Sequence, residues 1–132
     1  MRYQRNRIRH RIIPELETIN PNVVNAIVRL GNSVCEDISL ISNLTDMAFD
    51  ELVTISDEGA FISRRGLRKK PLSIQRRLWQ RLVSIFDPEI KLTTAHQEQL
   101  LDIVNTGEGK TFNIKSIKVS AQCDTIKVYC KH

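Results

Sequence analysis

Apolar residues in the first half of the chain recur at helical spacing over a long distance. Asn20 and Pro21 mark a helix start, because Asn is a favoured N-cap and Pro is favoured in the first helical turn. From there the apolar positions recur about every 3.6 residues. This pattern predicts one long helix over residues 21–54, in which Gly31 and residues 42–43 are the places where it could bend. The apolar stripe consists of Val24, Ile27, Val28, Val34, Ile38, Ile41, Met47, Ala48 and Leu52.

The segments on either side of the long helix carry different signals. Residues 3–13 are good helix formers, and we expect Pro14 to end that first helix. Beyond the long helix, residues 57–59 predict a turn and residues 60–62 a short strand. The basic stretch 63–70 is expected to form an exposed loop.

Two shorter helices follow this stretch. Pro71 opens the first of them, and Asp87-Pro88 ends it. Thr94 and Gln97 match a capping box for the second helix, which closes at residues 105–107. The inner stripe of the first of these helices consists of Leu72, Leu78, Trp79, Leu82, Val83 and Phe86, so Trp79 is expected in the core.

Beyond residue 107 the apolar period changes to two, which is typical of strands. Residues 112–114, 117–119 and 126–128 predict two or three short antiparallel strands. The fold class is therefore α+β and mainly helical: a long helix, then a small helical domain with a C-terminal antiparallel β-hairpin. We divide the chain into residues 1–56, which contain the long helix, and residues 57–132, a small α+β domain.

The charges are segregated along the chain, although the 132 residues carry a formal net charge of only +5. Residues 1–11 contain five Arg and no acid, whereas residues 12–58 contain one base and nine acids. Residues 59–86 are again free of acids, and two acid-free basic blocks are the electrostatic pattern expected for a polyanion partner. The alternative is that these blocks pair with the acidic segment or are merely solvated. The bases of the second block are Arg64, Arg65, Arg68, Lys69, Lys70, Arg76, Arg77 and Arg81.

No catalytic or metal-binding constellation emerges from the sequence. Gly109-Lys110-Thr111 resembles a phosphate loop, but Val104 stands where that motif requires a glycine, and the segment follows a helix. The three cysteines and three histidines lack metal-ligand spacing, so we expect no metal site in this chain. Three unpaired thiols suit a reducing cytoplasm. The lack of a long apolar run argues against a membrane-spanning helix, and the lack of an apolar face with bulky aromatics beside the basic blocks argues against a membrane surface as partner.

Several segments together resemble a known family. Residues 5–16, RNRIRHRIIPEL, form an RNxxRxxxxPxL pattern that runs into the long helix. This pattern resembles bacterial tRNA(Ile)-lysidine synthases, in which it lies at the end of the catalytic domain and leads into a linker helix. Residues 72–78, LSIQRRL, are similar to the helix that opens the substrate-binding domain of that family. The segments 92–96, 100–104 and 112–114, with Gly107, resemble the continuation of the same domain.

The resemblance implies a function in tRNA modification. The family uses ATP and Mg²⁺ to join the amino group of lysine to the wobble cytidine of an isoleucine tRNA with a CAU anticodon. That ligase chemistry belongs to an N-terminal ATP-pyrophosphatase domain with an SGGxDS loop, and this sequence contains no SGG. We therefore expect a linker helix and a substrate-binding domain that contribute tRNA binding, whether the chain is a fragment, a split-gene product or a degenerate copy. We expect no cofactor in this chain and no ligation by it alone; a separate catalytic domain or chain would supply it.

By the same resemblance, Arg5, Asn6 and Arg9 match the family motif at the edge of the active site. Four residues apart, Arg5 and Arg9 would share one face of an α-helix. They could hold nearby phosphates or pair with carboxylates of the catalytic domain. For tRNA contact we single out the whole second basic block, from Arg64 to Arg81, because arginine forks pair well with phosphate.

Two other functions remain open at the sequence level. One is a free-standing basic nucleic-acid-binding module without enzymatic activity, which would bind duplex DNA as well as RNA. The other is an interaction protein that forms a homodimer through the long acidic helix and has no affinity for nucleic acid.

Overall fold

The computed structural model describes residues 2–131, and its backbone divides into two compact units. The N-terminal unit ends at Leu40 and the C-terminal unit begins at Ile41. The division into functional domains at residues 56 and 57 stays a prediction, since compactness of the backbone does not test it.

Helical structure accounts for nearly all of the N-terminal unit. Helix α1 (Arg2–Arg7) is followed by a π-helical turn (Ile8–Ile12) and by helix α2 (Ile13–Ile19). The expected stop at Pro14 is therefore wrong. Pro14 lies in the first turn of α2, where its missing N–H costs little, and the wider π-helical turn before it leaves room for the ring.

Helix α3 (Val23–Leu52) is the predicted long helix, and it continues from one unit into the other. It ends two residues earlier than predicted, because the β-branched residues that follow Leu52 form strand β1 (Val53–Ser56). Buried side chains occur only in its last two turns, at Thr45, Ala48, Phe49 and Leu52.

The C-terminal unit combines three helices with a five-stranded antiparallel sheet, and this confirms the α+β, mainly helical fold class. The predicted C-terminal hairpin is β4–β5, and it is extended by three further strands to the order β1-β2-β5-β4-β3. The elements after β1 are β2 (Gly59–Ser63), α4 (Arg64–Arg68), α5 (Leu72–Phe86), α6 (Thr94–Thr106), β3 (Thr111–Ile114), β4 (Ile117–Gln122) and β5 (Thr125–Cys130).

Buried and more exposed residues alternate along β3, β4 and most of β5, which gives the sheet an inner and an outer face, whereas β1 has no buried residue. Ala60 and Ile62 of β2 lie opposite Val128 and Ile126 of β5, and all four side chains are buried. The inner face belongs to one hydrophobic cluster with the apolar stripe of α5, so the prediction that Trp79 lies in the core is confirmed. Further members of this cluster on the helices are Leu67, Leu78, Leu82, Val83, Leu100 and Val104.

Two local predictions near the helices need correction. Residues 64–68 form the short helix α4 rather than a loop, with Ser63 as the N-cap whose hydroxyl accepts from the Gly66 N–H. The capping box of α6 is one residue earlier than predicted: the Thr93 hydroxyl accepts from the His96 N–H, and His96 Nδ1 accepts from the Thr93 N–H. Histidine replaces the usual Glu or Gln of this motif because Nδ1 is an equally placed acceptor.

Candidate nucleic-acid interface

The second basic block occupies α4, the two residues after it and the exposed side of α5. Its side chains are exposed except at Arg64 and Lys70, which are half-buried. Arg76 and Arg77 lie on α5 between the buried residues Gln75 and Leu78, so they point away from the core. The block thus presents its bases on two helices and on the short segment between them, and we call these residues the basic surface.

The turn between β4 and β5 holds α4 in place. The Arg64 N–H donates to the Asp124 carbonyl at 2.7 Å, and the Arg65 N–H donates to Asp124 Oδ1 at 2.8 Å. Arg64, Arg65 and Arg68 then line a depression of ≈ 420 Å³ together with Asp124. The carboxylate of Asp124 therefore accepts a hydrogen bond from a backbone amide, and no ion pair joins it to any of the three arginines.

Only two of the eight bases pair with the acidic segment. Lys70 Nζ lies 2.7 Å from Glu51 Oε2, and Arg81 forms an ion pair with Asp46. Arg81 also lies over the ring of Phe49, with 4.7 Å between Cζ and the ring centroid. Both acids belong to the last turns of α3. The two ion pairs therefore link that end of α3 to Lys70, which follows α4, and to α5.

The remaining six bases have no carboxylate within ion-pair distance among residues 2–131. Pairing with the acidic segment therefore explains a quarter of the block and leaves most of its charge available. A cluster of unpaired cations raises the local positive potential, which favours a polyanion. The six are Arg64, Arg65, Arg68, Lys69, Arg76 and Arg77.

The three residues of the RNxxR pattern lie in the N-terminal unit, on two different helical segments. Arg5 and Asn6 lie on α1, whereas Arg9 lies in the π-helical turn. All three side chains are exposed. Asn6 lines a depression of ≈ 250 Å³ with Tyr3, Arg7, His10 and Arg11, and neither Arg5 nor Arg9 contributes to it. The role suggested for these three residues stays a prediction.

The structure also gathers residues that the sequence analysis did not single out. Phe61 of β2 and Tyr129 of β5 lie on the outer face of the sheet, and Lys127 lies between them. Lys127 Nζ is 5.4 Å from the Phe61 centroid and 5.3 Å from the Tyr129 centroid. The alternation that placed Ile126 and Val128 inside already placed Lys127 and Tyr129 outside. The pairing of β2 with β5, which adds Phe61, had no signal in the sequence.

The described residues contain few other groups that could bind a ligand or take part in a reaction. Residues 2–131 contain no group of three His, Cys, Asp or Glu side chains that could hold a metal ion. The pKa of Asp102 is lowered, first by a hydrogen bond from the Lys110 ammonium and then by one from the Thr106 hydroxyl. None of the helices described is long and apolar enough to cross a membrane.

Comparison with known proteins identifies relatives of one kind. The chain is 31% identical over 84 residues to a tRNA(Ile)-lysidine synthase of Geobacter sulfurreducens, which covers 63% of this chain and 18% of the relative. It is 32% identical over 105 residues to that of Streptococcus gordonii, covering 79% and 22%. The enzyme of Clostridium perfringens is 25% identical over 113 residues, covering 85% and 24%. No family model matches the chain.

The resemblance to tRNA(Ile)-lysidine synthases is confirmed. This chain spans about a fifth of the length of these relatives, and the matched part is their C-terminal portion.

Proposed function

We propose that this chain is the linker and substrate-binding portion of a tRNA(Ile)-lysidine synthase and that it contributes tRNA binding. The observation that carries the proposal is the set of six cations on α4, at Lys69 and on α5 that have no carboxylate partner among residues 2–131. The three arginines of α4 and the pair Arg76 and Arg77 belong to one compact unit. Sequence similarity to enzymes named for an isoleucine tRNA supports this tRNA as the partner of the basic surface.

These cations suit contact with the phosphate backbone rather than with bases. A guanidinium donates two parallel hydrogen bonds to a phosphate, and such contacts position an RNA without reading its sequence. Specificity for the CAU-anticodon isoleucine tRNA would then come from shape and from the rest of the enzyme.

In this proposal the ATP-dependent ligation of lysine takes place outside the described residues. No residue cluster here fits a metal ion, and the sequence lacks the SGGxDS loop, so ATP and Mg²⁺ are assigned to a separate ATP-pyrophosphatase domain or chain. Arg5, Asn6 and Arg9 would lie beside that catalytic part. The proposed location is the cytoplasm, where tRNA is modified.

Fluorescence anisotropy with a labelled CAU-anticodon isoleucine tRNA tests the proposal. We expect binding that weakens steeply between low and moderate salt, because each neutralised phosphate releases counterions. The double variant Arg76→Gln/Arg77→Gln should weaken binding and reduce the salt slope by about 1 to 2.

The matched control is Lys115→Gln/Lys131→Gln, which removes the same charge at the end of the β4–β5 hairpin that lies away from its turn and from α4. Equal losses in both double variants would reduce the basic surface to a net-charge effect and contradict the proposal. An unrelated tRNA and a DNA duplex complete the design. Equal affinity for the DNA duplex would favour a free-standing nucleic-acid-binding module instead.

A further inference from the structure

The outer face of the five-stranded sheet has an unusual composition. Its strands contain no acidic residue, and the side chains that alternate with the buried ones are mainly hydroxyls, amides and lysines. Phe61 and Tyr129 are the exceptions. The chain contains seven aromatic residues of the Phe, Trp and Tyr types. Four of these, Phe49, Trp79, Phe86 and Phe112, belong to the core or pack against it.

The two rings form one site around a lysine. Phe61 lies directly opposite Lys127 in the β2–β5 register, and Tyr129 lies two residues further on the same side of β5. With Ser120, Gln122 and Thr125 these residues line a depression of ≈ 310 Å³. The lysine ammonium lies within cation–π distance of both rings, and both rings are half-buried.

One carboxylate approaches this site from outside the strands. Glu58 Oε2 lies 3.5 Å from Lys127 Nζ, and the Glu58 side chain is 77% exposed. Such an exposed pair contributes little to stability, so a phosphate can replace the carboxylate as the partner of Lys127.

The site adjoins the basic surface of α4. Ser63 lies opposite Thr125 in the sheet, Arg64 follows Ser63 directly, and Asp124 precedes Thr125. The depression lined by the α4 arginines and the one lined by Phe61 and Tyr129 therefore flank the same β4–β5 turn. An RNA strand whose phosphates contact α4 can place its next bases over the rings of Phe61 and Tyr129.

We propose that this outer face binds unpaired nucleotides of RNA, whose bases stack on Phe61 and Tyr129 while Lys127 contacts the backbone. Aromatic rings on an open sheet accept bases that are splayed out, whereas the bases of a duplex are already stacked on one another. The inference rests on the proposed function and deepens it, because it assigns single-stranded segments of the tRNA substrate to a particular surface.

The test uses the whole chain and an RNA of about 12 nucleotides, a length that fits the site sizes of single-strand binders. A central 2-aminopurine reports stacking, and a blunt duplex of the same sequence is the comparison. On binding we expect the 2-aminopurine fluorescence of the single strand to fall. Phe61→Ala/Tyr129→Ala should lower affinity for the single strand by about 10-fold or more and leave duplex affinity within about 2-fold.

Phe61→Leu/Tyr129→Leu serves as a second variant that keeps apolar bulk without the rings, and it should lose affinity in the same way. Phe61→Tyr is the conservative control and should bind like the parent chain. Unchanged affinity for the single-stranded RNA in both double variants overturns the inference. An equal loss of affinity for the single-stranded and the duplex RNA overturns it too. Failure of the parent chain to bind isoleucine tRNA would count against the proposed function, whereas tRNA binding that ignores the two rings counts against this inference alone.

Discussion

The two compact units have similar apolar periodicity but very different burial. From Arg2 to Leu40 no side chain is buried, and Ile27 and Val28 of α3 are each 54% exposed. From Ile41 onward most positions of the corresponding stripes are buried, although Met47 and Leu72 are exposed. Leu78, Leu82 and Val83 of α5 have no exposed surface. Helical periodicity predicts a helix in both units, but it does not show whether another part of the protein covers the apolar stripe of that helix. The free energy of folding should therefore be concentrated in the C-terminal unit, since isolated helices are marginal in water.

The largest expected contrast comes from truncating one apolar side chain in each unit. Leu78→Ala should lower the free energy of unfolding by about 2–5 kcal/mol, because it leaves a cavity in a packed core. Ile27→Ala should change it by less than about 0.5 kcal/mol, as is usual for an exposed position. Urea denaturation of both variants, followed by circular dichroism, measures the difference.

A large cost for Ile27→Ala would contradict this picture and mean that the stripe of α3 is covered in solution. Sedimentation velocity over a range of concentrations would then show whether a homodimer through the long helix provides the cover.

A smaller contrast, of opposite sign in the two units, is expected from replacing glycine by alanine. Gly59 ends the β1–β2 turn with φ of 130°, and a Cβ there would lie 2.4 Å from the Val128 carbonyl oxygen. Gly59→Ala should therefore cost about 1–3 kcal/mol. Gly31 lies inside α3 with nothing within 4 Å of an added Cβ, so Gly31→Ala should increase helicity and gain about 1 kcal/mol of helix stability. Thermal unfolding and the helical signal at low temperature measure the two effects.

The smallest expected effect concerns the pKa of Asp102, which the Lys110 ammonium lowers through a hydrogen bond. A carboxyl whose pKa is lower in the folded state stabilises the fold at neutral pH and loses that contribution as the pH falls through the folded pKa. Lys110→Met should raise the pKa of Asp102 toward its ordinary value. Carbon-detected NMR titration checks this, and an unchanged pKa would show that the Thr106 hydroxyl carries the effect.

Local patterns predicted the elements whose signals are contained in their own residues. The strands of the β4–β5 hairpin, the core position of Trp79 and most of the apolar stripe of α5 are of this kind. Leu72 was wrongly included in that stripe, because it is 41% exposed in the first turn of the helix. Helix α4 was missed because part of its N-terminal capping comes from Asp124, which is 59 positions away from Arg65. The end of α3 was placed too late because Leu52 continues the helical stripe up to the first residue of β1.

The candidate interface was predictable only in part for a related reason. Charge segregation along the sequence located the basic block, but it could not show that only Lys70 and Arg81 pair with acids of α3. Phe61 and Tyr129 are 68 residues apart in the sequence and meet through strand pairing, which depends on the whole sheet. Residue type and spacing along the chain do not show which strand pairs with which, and so they could not predict that Phe61 and Tyr129 lie close together.

The anchoring of α4 by the β4–β5 turn has a consequence for biosynthesis. The amides of Arg64 and Arg65 bind Asp124, and β2 pairs with β5, which is made some 60 residues later by a ribosome that works from the N-terminus. Until β5 has been made and has paired with β2, the arginines of α4 lack the partner that holds them in their final arrangement. The arginines of α4 thus reach their final arrangement only after β5 has left the exit tunnel. Until then a nearby RNA would contact flexible arginine side chains and not an ordered binding surface.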